Sequence, residues 1–182
     1  IADSSRAIGV RGTFTAEVLA SIGIKNVEIV GCPSLFRARN RHLSLHLKPA
    51  SEVKKVAFSL RRETSNSYAA DMKAFIELQR SLLLHIDSKL ETTVTIHGEP
   101  EEKAFFAKDE KAINEATVRL RKLNWFTRES EDRLLNIYKN RLFLNNRVED
   151  YDSMIMQQDF AIGYRVHGVL PALANQVPGV LV

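Results

Sequence analysis

An α/β fold, a mostly parallel sheet with helices on both faces, is what this sequence predicts, and three observations predict it. Short β-branched runs recur along the chain, each closed by a turn residue or a charge. Segments of helical periodicity lie between them. Strands separated by helices are joined by crossovers, which parallel strands require. With 182 residues, 45% of them apolar and 26% charged, the chain is long enough to bury roughly two-thirds of its unfolded surface without a disulfide or metal staple. One Rossmann-like domain over residues 1–182 accounts for these features.

The elements follow in order. Ala7-Ile8-Gly9-Val10 reads as a strand, and Thr13 to Ser21 as a helix with Thr13 or Thr15 as its cap and Gly23 as its stop. Val27-Glu28-Ile29-Val30 is a second strand, closed by the turn Gly31-Cys32-Pro33, and residues 34–53 are irregular and basic. Lys55 to Leu60 is the third strand. The clearest helix covers Ala69 to Lys89, where Met72, Phe75, Ile76, Leu82, Leu83, Ile86 and Leu90 form one stripe. Thr92 to His97 is a strand. Residues 101–124 look helical but poorly amphipathic, which places them on the surface or divides them in two. Trp125-Phe126 reads as a small buried patch under a loop. Ser130 caps a helix over Glu131 to Lys139, with acids in its first turn as the macrodipole favours. Leu142 to Leu144 is a short strand, Val148 to Gln157 a helix and Asp159 to Gly163 a strand. Gly168 to Asn175 is the last helix and Gly179 to Val182 the last strand.

Composition excludes several classes. No apolar run approaches the ~18–20 residues of a membrane helix. The single cysteine, Cys32, leaves no internal disulfide framework. The glycines form neither a G-x-G-x-x-G nor a P-loop. Residues 1–62 hold eleven Lys/Arg against four Asp/Glu, a net of +7 in a chain of net +4. A basic first third points to an anionic partner. Without a dense basic block or interleaved aromatics, nucleic acid is not expected. The chain opens at Ile1-Ala2-Asp3 and stops at Pro178-Gly179-Val180-Leu181-Val182, a strand cut short, so a piece of a longer protein is expected.

In an open parallel sheet, ligands bind outside the carboxyl ends of the strands. Four of five such ends carry Arg or His: Arg11 after the first strand, Arg61-Arg62 after the third, His97 after the fourth, and Arg165 with His167 after Asp159–Gly163. If the segment stays extended, Arg165 and His167 leave one face. Gly168 then opens a helix whose free N–H groups attract an anion, and Gly163 and Gly168 allow a ligand close to the backbone. Arg offers a planar fork matched to carboxylate or phosphate, and His a proton near neutrality. Other residues read as structural. Arg61-Arg62 is divided evenly between this site and a solvated strand end, His97 is a turn histidine, and Cys32 packs. His42 and His46 have metal-pair spacing but no nearby carboxylate, so no metal is expected.

The segment Asp159-Phe160-Ala161-Ile162-Gly163-Tyr164-Arg165-Val166-His167-Gly168, with Ala172-Leu173-Ala174 and Val177-Pro178, resembles the closing motif of polysaccharide pyruvyl transferases. Ile8-Gly9-Val10-Arg11-Gly12, with Thr15, Leu19 and Gly23-Ile24, is similar to that family's opening strand and helix. Gly31-Cys32-Pro33-Ser34-Leu35 resembles its D-P-(A/S)-L turn. Gly12 and Cys32 stand where many members carry an acid. The resemblance implies a GT-B-like enzyme of two Rossmann-like halves. This chain is then mostly the carboxyl half, and residues 1–36 link to, or complete, a missing amino-terminal half. It implies transfer of the enolpyruvyl unit of phosphoenolpyruvate onto a saccharide hydroxyl pair, giving a pyruvate ketal in a bacterial cell-surface polysaccharide. Arg11, Arg165, Arg61 and Gly168 are then donor-binding and His167 catalytic. Phosphoenolpyruvate is the donor substrate and no cofactor is expected. The acceptor is lipid-linked or nucleotide-linked, and the work is cytoplasmic or at the inner membrane face. A nucleotide-sugar glycosyltransferase and a non-catalytic anion-binding module are the alternatives.

Overall fold

A computed structural model describes residues 6–36, 44–62, 69–96, 99–144 and 147–182. Two parallel sheets are present among them. β1 (Ile8–Val10) and β2 (Val27–Ile29), joined by α1 (Thr13–Ser21), pair in register Ile8 to Val27. The second sheet has β3 (Lys55–Ser59), β4 (Glu91–Thr95), β5 (Leu142–Phe143), β6 (Phe160–Gly163) and β7 (Gly179–Leu181) in the spatial order β5-β4-β3-β6-β7. All its neighbours are parallel. The helices are α2 (Met72–Asp87), α3 (Pro100–Ala107), α4 (Glu110–Lys122), α5 (Glu131–Asn140), α6 (Val148–Ile155) and α7 (Val166–Ala174).

Alternation along β3 explains the layers. Phe58 and Leu60 enter a core with Leu83 of α2, Phe105 of α3, Leu120 of α4 and Leu134 of α5. Ala57 enters a second core with Ile155 of α6 and Ala172 of α7. Side chains two apart share a face of a strand, so helices cover both faces. The central strand therefore has no polar face, and Val56, Ala57, Phe58 and Ser59 are all buried.

Helix ends follow local chemistry. α1 stops as its glycine predicts: Gly23, at φ +88°, donates to Ala20 O and Ile24 donates to Leu19 O. This is the paired bond of a left-handed cap. Its start differs, for Gly12 is the cap residue and neither Thr13 nor Thr15 caps it. α2 starts at Met72 because the Asp71 carboxylate accepts from Ala74 N at 2.9 Å. The 101–124 stretch divides where Lys108 turns left-handed, at φ 57°, and Asp109 caps α4 through Ala112 N. Ser130 precedes α5 but does not cap it, because its hydroxyl faces back to Thr127 Oγ1 at 2.8 Å.

Trp125 and Phe126 are no satellite patch. They are 0% and 2% exposed and belong to the main core, Phe126 stacking edge-on against Phe105 and Tyr138. The turn after α4 carries them inward, because Trp125 N and Phe126 N both bond to Leu120 O.

Candidate functional site

The connections of the larger sheet run from β3 outward to β4 and β5, then return to β6 on the other side of β3. The strand order reverses between β3 and β6, and that is where the crevice of an open parallel sheet forms. Ser59, Leu60, Arg61 and Arg62 leave β3 at this point, and Gly163, Tyr164 and Arg165 leave β6.

The seam between β3 and α7 is unusually close. A Cβ on Gly163 would lie 2.4 Å from Ser59 O, and one on Gly168 would lie 1.8 Å from Ser59 Oγ. The two glycines thus make room for Ser59 rather than for a ligand, which corrects the sequence-based expectation. Ser59 is 1% exposed, and its hydroxyl has no hydrogen-bond partner among the described residues. The first turn of α7 lies over it. Gly168 N donates to Arg165 O at 2.9 Å, and Tyr151 of α6 donates its hydroxyl to Gly168 O at 2.7 Å.

α7 accordingly begins at Val166, two residues before the expected start. Arg165 precedes the helix with extended backbone, φ −111° and ψ 123°. His167 is the second helical residue and is exposed. The expectation that Arg165 and His167 leave one face of an extended segment is therefore corrected. Seating Gly168 on Ser59 closes the first turn before His167 can continue the strand. Both residues still stand at the helix N-terminus, where unpaired N–H groups favour an anion.

Arg165 is half-buried and anchored. Its Nε donates to Leu60 O at 3.1 Å and its Nη2 to Glu99 Oε1 at 2.6 Å. Arg61 next along β3 is held by its main chain. Gln79 of α2, 0% exposed, accepts from Arg61 N at 2.6 Å and donates to Arg61 O at 2.8 Å. Arg61, Arg165, His167 and Gly168 therefore come together at the strand-order reversal. Arg11 does not join them on the same sheet. It is exposed at the carboxyl end of β1. Its charge helps lower the Cys32 thiol, after the larger effect of hydrogen bonds from Ser34. The helical turn that follows, Pro33–Phe36, packs against α7. His97, Gly98 and His42 lie outside the described residues.

Arg62 is not a solvated strand end. It shares the face of Phe58 and Leu60 and points into the core side. Its Nε and Nη2 donate to Glu102 at 2.8 and 3.0 Å, and Nη2 also reaches Glu101 at 2.6 Å. Tyr138 donates its hydroxyl to Glu102 Oε1 at 3.0 Å. Burial works against the Arg62 charge, but the bonds and charge of Glu102 outweigh it and raise the pKa. Burial, then the Glu102 charge, push the Tyr138 phenol upward. Arg62 is thus a structural strut between β3 and α3.

Asp159 opens the Asp-to-Gly168 motif, yet it stands at the other end of β6 from Arg165. It accepts from Lys54 N and Lys55 N at 2.8 and 2.9 Å and pairs with Lys48. These partners, Lys48 first, lower its pKa to about 2. It staples β6 to the start of β3. A hollow of about 500 Å³ lies elsewhere too, lined by Phe105, Lys108, Ile113 and Lys139. Lys139 lies in the last turn of α5, which leads into the amino end of β5, so the hollow belongs to the opposite edge of the sheet. No group of three or more His, Cys, Asp or Glu able to hold a metal occurs among the described residues. No helix among them is long and apolar enough to cross a membrane.

Sequence reasoning missed Gln79 and Glu99. Gln79 had a signal, since it sits between Ile76 and Leu83 inside the apolar stripe. Glu99 follows the fourth strand and so had a strand-end position as its signal, but its pairing with Arg165 had none, because the two are 66 residues apart.

A parallel α/β sheet with arginines at its strand-order reversal is an arrangement suited to binding an anion. The family model described as polysaccharide pyruvyl transferase matches residues 1–182, and the chain belongs to that family of enzymes. The family works in polysaccharide biosynthesis and implies a saccharide acceptor. The chain has no match among the curated proteins compared and none among the solved structures.

Proposed function

We propose that this enzyme takes its pyruvyl group from phosphoenolpyruvate and builds a cyclic ketal on two saccharide hydroxyls. Family membership supports the transfer. The observation that carries the donor is the convergence of Arg165, the Arg61 segment and the α7 N-terminus at one strand-order reversal. Phosphoenolpyruvate carries a phosphate and a carboxylate, and two anions suit two arginines and a helix N-terminus.

His167 gives a proton to the methylene carbon, leaving positive character on the neighbouring carbon. One sugar hydroxyl attacks that carbon and passes its proton back to His167, and the C–O bond to phosphate breaks. The second hydroxyl attacks, gives up its proton to the departed phosphate, and closes the ring. Arg165 and Arg61 hold the anions, Arg11 adds charge from the first sheet, the amino end of α7 ahead of Gly168 turns its dipole to the phosphate, and His167 moves a proton. The same reading keeps the work in the cytoplasm, on a lipid-linked or nucleotide-linked acceptor, as the resemblance implies.

Phosphoenolpyruvate titration and phosphate release with saccharide acceptors test this. Arg165→Ala should weaken donor binding at least tenfold. His167→Ala should keep donor binding and lower turnover by about 10²–10⁴-fold. Unchanged donor affinity in Arg165→Ala would place the clamp elsewhere, and near-normal turnover in His167→Ala would remove histidine from the chemistry.

A further inference from the structure

Glu99 already occupies the guanidinium that the donor is proposed to use. Glu99 is the residue before the first turn of α3, and Arg165 the residue before the first turn of α7. α3 follows β4 and α7 follows β6, with β3 between those strands. The pair therefore spans the carboxyl end of β3, above the Leu60 carbonyl that holds Arg165 Nε.

We propose that Glu99 is a specificity-determining residue: a resident carboxylate on Arg165 that an incoming anionic group must displace. This rests on the reading of Arg165 as a donor-binding residue. Among the described residues, Arg62 and Arg165 both pair with glutamates at this edge, and the pairings differ in kind. Arg62 and Glu102 have side chains 3% and 1% exposed and share two hydrogen bonds. Arg165 and Glu99 are 22% and 26% exposed and share one. Water reaches the second pair, so an anion from solution can exchange onto it, whereas the first is closed. The bond from Arg165 Nε to Leu60 O keeps the guanidinium aimed when Glu99 lets go. A phosphate, carrying close to two charges, displaces one carboxylate more readily than a single carboxylate does. Every anion meets the same displacement cost, so Glu99 sets a threshold that a phosphate clears at lower concentration than a single carboxylate does.

Calorimetric titration of the 182-residue chain with inorganic phosphate, pyruvate and phosphoenolpyruvate, at fixed ionic strength, tests this. Glu99→Gln keeps the side-chain shape and removes the charge. It should tighten phosphate about fivefold and pyruvate at least as much. Glu99→Ala should act in the same direction, and neither substitution should change binding in an Arg165→Gln background. Circular dichroism confirms that each variant folds. Equal or weaker phosphate binding in both Glu99 variants overturns the proposal, as does the same gain without Arg165. Absence of phosphate binding in every protein overturns it too. If phosphate tightens as expected but phosphoenolpyruvate binds to none of the proteins, the donor reading falls and the role of Glu99 stands.

Discussion

Ser59 of β3 fills the space that a side chain on Gly168 of α7 would need, its hydroxyl oxygen lying 1.8 Å from where a Cβ would be placed. Residue 168 is helical, so an alanine there meets no backbone objection, only this contact. Gly168→Ala should therefore cost roughly 3 kcal/mol through overpacking. A chain of this size would then melt about 6–12 °C lower by circular dichroism. Adding Ser59→Gly removes both the hydroxyl and its carbon and should restore most of the loss. Ser59→Ala should restore less, because Ser59 Cβ is itself 2.5 Å from the added carbon. A Gly168→Ala protein that melts like the parent would show that α7 is free to slide.

Arg62 and Glu102 couple β3 to α3 in the core, with Tyr138 as third member. Removing one charge leaves the other buried without its partner. Arg62→Met should cost about 3–5 kcal/mol. The double variant Arg62→Met, Glu102→Leu should recover much of that, since apolar residues of similar volume replace a desolvated pair at little net cost. Urea unfolding of the two singles and the double gives the coupling. Additive losses would show that the pair is not coupled.

Much of the fold was readable because its periodicity is local. The stripe from Met72 to Ile86 put α2 in place, and the strand runs gave the larger sheet. Strand pairing is not local, so nothing in Ala7–Val10 or Val27–Val30 showed that these strands pair apart from β3–β7. Arg165 at a strand end was legible from the crossover argument. The early start of α7 was not, because it depends on Gly168 meeting Ser59 across 109 positions of sequence. Arg61 and Arg62 look equivalent in the chain. Their fates diverge because successive side chains of β3 face opposite layers, and a strand buried on both sides hides that difference.

Asp159 makes the start of β6 sensitive to acid. Its folded pKa, about 2, lies below the ordinary 3.8, chiefly through Lys48 and the amides of Lys54 and Lys55. A lowered carboxylate pKa contributes stability that is complete above about pH 4. That contribution is lost as pH falls from there toward 2. Solvent screening limits it to about 1 kcal/mol. Asp159→Asn should lose this amount at neutral pH, and the difference between variant and parent should shrink below pH 4. Denaturant midpoints measured from pH 7 to pH 2 check the slope. A gap that stays constant throughout would mean that the Asp159 charge contributes nothing.

Gln79 holds the main chain of Arg61 at both its N–H and its carbonyl. Both backbone groups of Arg61, part-buried, thus bond to one side-chain amide. Gln79→Leu keeps the volume and the apolar stripe but strips both bonds, at about 1–3 kcal/mol for each group left unsatisfied. The local effect should exceed the global one, because Arg61 can turn outward to water while α2 stays packed through Ile76 and Leu83. Hydrogen exchange should then speed up at Arg61 and Arg62 more than in α2 or β4. Donor affinity should fall as the strand end loosens, and Gln79→Glu, which keeps an acceptor for Arg61 N but has no donor for its carbonyl, should fall in between. Unchanged exchange at Arg61 in Gln79→Leu would show that β3 fixes its own end without help from α2.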